Sequence, residues 1–60
     1  MIQQLLAIKH AKGLSNESLA HEIGVKLITI HRWLNLLAKP SPMALKLITN
    51  YIKKNKSYLD

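Results

Sequence analysis

The chain has 60 residues, nine Lys and Arg against three Asp and Glu, a formal net charge of +6 and no cysteine. So short a chain makes one small domain burying about 60% of its unfolded surface, and helix packing, self-association or a larger parent protein must supply its stability. No disulfide or thiolate zinc site is possible, the apolar runs fall far short of the roughly 20 residues that span a bilayer, and the N-terminus lacks the basic start and long apolar centre of a secretory signal.

In chain order, Ile2 to Lys12 carries apolar residues at Ile2, Leu5, Leu6 and Ile8, which predicts a first helix, and Gly13 is placed to end it in a left-handed residue. Ser15 is the N-cap of a second helix running to about Ile23. Ser18 stands where a capping box puts Glu or Gln, so only half of that device is present. Gly24 marks a chain reversal that favours a residue tolerant of positive φ. A third helix is predicted from about Leu27 to Leu37, with Ile30, Trp33, Leu34 and Leu37 facing the domain and Leu27, Ile28, His31, Arg32 and Asn35 outward or at the edge. Lys39-Pro40-Ser41-Pro42 then breaks the chain, and Ser41 as N-cap with Pro42 at the first helical position starts a fourth helix. Met43, Ala44, Leu45, Leu47, Ile48, Tyr51 and Ile52 give that helix a broad apolar side. Residues 55–60 fray or add a short last turn. The expected architecture is all-α, four or five helices in a single domain over residues 1–60 with its core at about 5–52.

Charge is unevenly placed. From Leu27 to Leu59 there is no acidic side chain, whereas Arg32, Lys39, Lys46, Lys53, Lys54 and Lys56 all fall there. That half attracts polyanions, nucleic acid first and an anionic membrane surface second. Gly13, Gly24 and the Pro40-Pro42 pair divide the chain into short packed helices, which argues against a membrane-lying amphipath. His10, His21 and His31 lie on three different helices without a paired ligand spacing, so no metal or other cofactor is expected. With three acids, two of them on one helix, no catalytic constellation is credible and the chain is not expected to be an enzyme.

The stretch from Leu14 to Leu34 contains Ala20, small enough to let two helices cross closely, then Gly24 at the reversal, with Leu19, Ile23, Val25, Ile30 and Trp33 as apolar contacts. This pattern resembles the helix-turn-helix of the phage repressor and Cro family of transcriptional regulators. Ala20, Gly24, Val25, Ile30 and Trp33 correspond to its scaffold. The resemblance implies a lambda-repressor-like fold, sequence-specific binding of double-stranded DNA with the third helix in the major groove, and action as a repressor in a prokaryotic or phage cytoplasm. Base-edge contacts in the family come mainly from positions that correspond to Leu27, Ile28 and Arg32; His31 and Asn35 share that face. Arg32 reaches either guanine O6 and N7 or a phosphate. Asn16 matches a position that touches the backbone, and Lys26, Thr29, Lys39, Ser41 and Lys46 complete the expected phosphate set. A homodimer on half-sites about one helical turn apart is expected, paired through the fourth helix, the tail or the leucine cluster. No small-molecule ligand is indicated.

Three departures stand out. Lys26 replaces the usual Ser or Thr before the recognition helix, Leu27 and Ile28 are apolar where polar readers are usual, and Leu36-Leu37 stands where relatives commonly carry Gly-Lys. Leu27 and Ile28 fit thymine methyl groups or another protein. The cluster of Leu34, Leu36 and Leu37 is expected to add to the core or to meet a second copy. Two other functions share this fold: a protein-docking module using Leu27, Ile28, Leu36 and Leu37, and the DNA-targeting domain of a larger recombinase or transposase.

Overall fold

The computed structural model describes residues 1–59 as four α-helices and a closing 3-10 turn: α1 Ile2–Lys12, α2 Asn16–Ile23, α3 Leu27–Leu34, α4 Pro42–Lys54 and the turn Lys56–Tyr58. Asp60, the end of the predicted tail, lies outside the described residues. α2 and α3 pack on each other, α1 packs against α3, α4 and the closing turn, and α4 also meets α2. The core is Leu5 and Ile8 from α1, Leu19, Ala20 and Ile23 from α2, Ile30 and Trp33 from α3, and Ile48 and Tyr51 from α4. Burying each Leu or Ile side chain is worth about 1.5–3 kcal/mol, and a domain this small has few such contributions to lose. Ile2, Leu14, Val25, Leu34 and Leu59 pack around this centre, so the packed interior reaches almost to both ends of the chain.

Local signals set the helix starts. Ser15 Oγ accepts the Ser18 N–H at 3.1 Å, and the two hydroxyls also meet at 3.1 Å, so a serine partly fills the place of the missing acid. Ser41 Oγ accepts the Ala44 N–H at 3.2 Å with Pro42 in the first turn of α4. No side chain caps α3, whose N-cap is Lys26.

The first three helices end in one way. After α1 the Leu14 N–H reaches back to the Lys9 carbonyl, after α2 the Val25 N–H to Ala20, and after α3 the Leu37 N–H to Arg32. Each bond satisfies a carbonyl that the helix leaves open, and each needs the preceding residue in left-handed conformation. Gly13 (φ 69°) and Gly24 (φ 95°) meet that need without penalty. The third position is Leu36, at φ 58°. An L-residue there is strained by about 1–2 kcal/mol.

This third turn changes two expectations. α3 stops at Leu34 rather than Leu37, because Asn35 and Leu36 leave the helix and turn the chain toward α4. Leu37, expected on the buried side, is 76% exposed and Leu36 is 81% exposed, so neither joins the core. Leu34 does pack on it. α4 uses less of its apolar side than its sequence offers: Ile48 and Tyr51 are buried and Ala44 and Ile52 partly so, whereas Met43, Leu45 and Leu47 are exposed. With α1 and α2 covering one side only, a stripe of that width cannot all be buried.

Beside the core, one carboxylate joins three helices. Lys12 Nζ donates to Glu22 Oε1 at 2.7 Å, and the Tyr51 hydroxyl donates to the same oxygen at 2.8 Å. Lys12 also reaches Asn55 Oδ1 at 3.3 Å and lies 5.7 and 5.6 Å from the ring centres of Tyr51 and Tyr58. Hydrogen bonds from Lys12 and then Tyr51 hold the Glu22 carboxyl below its ordinary value, while burial and the Glu22 hydrogen bond push the Tyr51 hydroxyl up.

Two outcomes follow from these contacts. A Cβ on Gly24 meets nothing within 4 Å, so Gly24→Ala introduces backbone strain without a clash; urea titration should show it less stable by about 1–2 kcal/mol with an unchanged m-value, and Gly24→Asn should lose less. Because folding lowers the Glu22 pKa, its stabilisation is complete above the ordinary value of 4.5 and disappears as pH falls through the lowered one. Glu22→Gln should therefore flatten the decline of urea midpoint with pH below 4.5; an acid limb as steep as that of the parent chain would contradict this role.

Candidate nucleic-acid interface

α3 has two unlike sides. Ile30 and Trp33 are buried, with Trp33 only 3% exposed, which fixes the helix against α1 and α2 and makes Trp33 part of the core rather than a stacking platform. Ala20, on α2, is buried in the same core, and Val25 closes the turn half-buried against it. Of the expected scaffold residues, Ala20, Ile30 and Trp33 are in the core, Val25 packs against it, and Gly24 is the left-handed C-cap of α2.

Opposite that side, Leu27, Ile28, His31 and Arg32 are all exposed on one surface about two turns long. Leu27 is 41% and Ile28 54% exposed, so two aliphatic side chains lead the ridge and a cation follows one turn later. Asn35 is the C-cap: its Nδ2 donates to the His31 carbonyl at 2.8 Å, which leaves Oδ1 and one N–H for any other partner. Thr29 is half-buried in the first turn of α3.

Besides Thr29, the residues expected to hold phosphates fall in three places. Asn16, half-buried, opens α2; Lys26, exposed, precedes α3 without capping it; Lys39, Ser41 and Lys46, all exposed, lie on the turn after α3 and the first two turns of α4. The Ser41 hydroxyl oxygen is occupied by the Ala44 N–H, but its own hydrogen remains free to donate. Of the acids, Glu22 is tied to Lys12 and Tyr51, and Glu17 lies exposed on α2, so no acidic side chain stands on α3 or on the turn beyond it.

His10, His21 and His31 are exposed on α1, α2 and α3, and the described residues contain no group of His, Asp and Glu that could hold a metal ion. No helix among the described residues is long and apolar enough to cross a membrane. Two features escaped sequence reading. The Lys12–Glu22–Tyr51 junction links residues 10 and 29 positions apart, which no local pattern reveals. The left-handed Leu36 had one signal, its place where relatives carry glycine.

No curated protein and no solved structure gives a match. The family description "Helix-turn-helix" matches residues 3–59, nearly the whole chain, and covers every element that forms the crossing and the ridge. Two helices crossing at Ala20, a reversal at Gly24 and a second helix with one side exposed are the anatomy of that motif, and the chain belongs to the helix-turn-helix family, as a DNA-binding domain of the phage repressor and Cro type.

Proposed function

We propose that the chain is a transcriptional repressor domain that reads double-stranded DNA with α3 in the major groove and acts in the cytoplasm as a pair of copies on neighbouring half-sites. The observation that carries this reading is the exposed ridge of Leu27, Ile28, His31 and Arg32 on a helix whose other side is locked by Ile30 and Trp33. A groove about 12 Å wide accepts one α-helix, and a helix held from behind is presented without having to be ordered on binding.

Within the groove, Arg32 carries most of the discrimination. Its guanidinium donates in pairs to guanine O6 and N7, worth about 1–3 kcal/mol against the wrong base. The Leu27 and Ile28 side chains have no hydrogen-bonding atoms and favour thymine methyl groups, and His31 and the free side of Asn35 complete the reading surface. Asn16, Lys26, Thr29, Lys39, Ser41 and Lys46 set the register by phosphate contacts, which hold position but carry no sequence information. Exposed Leu27 and Ile28 also suit a protein-docking module, and Arg32 decides between the two readings.

Selection from randomised duplexes should enrich a palindrome, and binding to the enriched site should weaken with salt at a slope of about −4 to −5 on a log–log plot, as expected for about 5 neutralised phosphates. Arg32→Ala should lose about 1–3 kcal/mol on that site and relax preference at one base pair, whereas Lys46→Ala should weaken all duplexes alike. A slope near zero, or an Arg32→Ala protein that binds as the parent does, would remove the DNA reading.

A further inference from the structure

We infer that His31 makes DNA binding respond to acid, the imidazole taking up a proton from solvent when α3 meets the phosphates, so that the duplex is held more tightly at about pH 6 than at about pH 8; this rests on the DNA reading above. Of the three histidines, His31 is the one on the exposed side of α3, where Leu27, Ile28 and Arg32 also stand. His10 lies on α1 and His21 in the last turn of α2. Lysine and arginine contacts stay charged throughout the neutral range, whereas histidine is the side chain whose charge ordinarily changes between about pH 5 and 8. A histidine on the ridge therefore gives the reading surface a charge that depends on pH.

The domain offers this imidazole no counter-charge of its own. Its backbone carbonyl accepts from Asn35, but among the described residues the ring makes neither a hydrogen bond nor an ion pair. On its own stretch the charged neighbours are Lys26 and Arg32, and the turn and α4 add Lys39 and Lys46, all cations. α1 and α2 pack against α3. α1 brings Lys9, His10 and Lys12 and no acid. α2 brings His21 and two carboxylates, of which Glu22 is held by Lys12 and Tyr51, while Glu17, exposed in the first turn, makes no ion pair with His31. The anion that a protonated His31 attracts must then come from outside the domain, and a duplex supplies one negative charge per about 1.7 Å of its axis. An anion close to an imidazole favours its charged form. An imidazole that is charged more readily in the complex takes up a proton on binding, so affinity rises as pH falls and levels off where the free chain is protonated too. One close phosphate tightens binding by about five- to tenfold across the neutral range. Unfolding does not intrude there, because the stabilisation from Glu22 is complete above 4.5.

The test measures affinity for the duplex enriched from the randomised pool at about pH 8, 7 and 6, each over a range of salt. The parent chain should bind about five- to tenfold more tightly at the lowest pH than at the highest, and its log–log salt slope should steepen by up to about 0.9, the contribution of one further phosphate contact. His31→Gln keeps polar atoms but does not titrate in this range, so its affinities at the two ends should agree within about twofold. His31→Lys, charged throughout, should also be flat, with one salt slope at every pH. His10→Gln and His21→Gln should each keep the response of the parent. A parent chain that binds equally at all three pH values, a response that survives in either His31 variant, or one that disappears in His10→Gln or His21→Gln would each overturn the role of His31. A parent chain that binds no duplex at any of these pH values brings down the DNA reading itself. The two failures are distinct, since the pH response is a ratio of affinities on one duplex and is read only where binding occurs.

Discussion

Everything the surface does depends on how closely α2 and α3 cross. Ala20 is 3% exposed in the core that α2 and α3 share with Leu5 and Ile8, and a larger side chain overpacks that core. Gly24 makes the approach possible from the other end, because only three residues, Gly24 to Lys26, separate the helices and one of them must be left-handed. Packing on one side also explains why α3 is exposed on the other. Ile30 and Trp33 are consumed in packing, and His31 and Arg32, which lie between them in sequence, project from the opposite side of the helix.

Much of the architecture is readable from local chemistry. Ser15, Ser41 and Pro42 announce helix starts, Gly13 and Gly24 announce ends, and the spacing of Ile30 and Trp33 separates the buried from the outer side of α3. The serines and glycines work because each satisfies an N–H or frees the chain to satisfy a carbonyl within a few residues, Pro42 because it has no N–H to leave unpaired, and Ile30 and Trp33 because their spacing marks one helical side. The end of α3 carries no such signal. Leucine is a good helix former, so Leu36 and Leu37 read as two more helical residues, and only the need to bring Ile48 and Tyr51 of α4 onto the core makes the chain turn there. Tertiary demand overrides propensity at that point. The broad apolar side of α4 is misleading for a related reason: a wheel counts apolar residues, but neighbours decide how many are covered.

The outer surface was legible as a set of positions and less so as chemistry. Leu27, Ile28, His31 and Arg32 stand together as their spacing requires, while Asn35 sits at the helix end with part of its amide committed to the His31 carbonyl. Long-range junctions stay hidden from a sequence reading. Lys12, Glu22 and Tyr51 belong to three different helices, and nothing in the run of residues around any of them signals that one oxygen will receive both a lysine and a phenol.

That oxygen has an electrical consequence. Glu22 and Lys12, 2.7 Å apart, form a small dipole rather than two separate charges, and the field of a dipole fades with distance much faster than that of an ion. The domain therefore keeps a carboxylate for its own cohesion with little effect on the field felt far away. An approaching polyanion meets mainly the unopposed cations of α3, the turn and α4, and such a field both hastens the encounter and turns the molecule to face its target before contact.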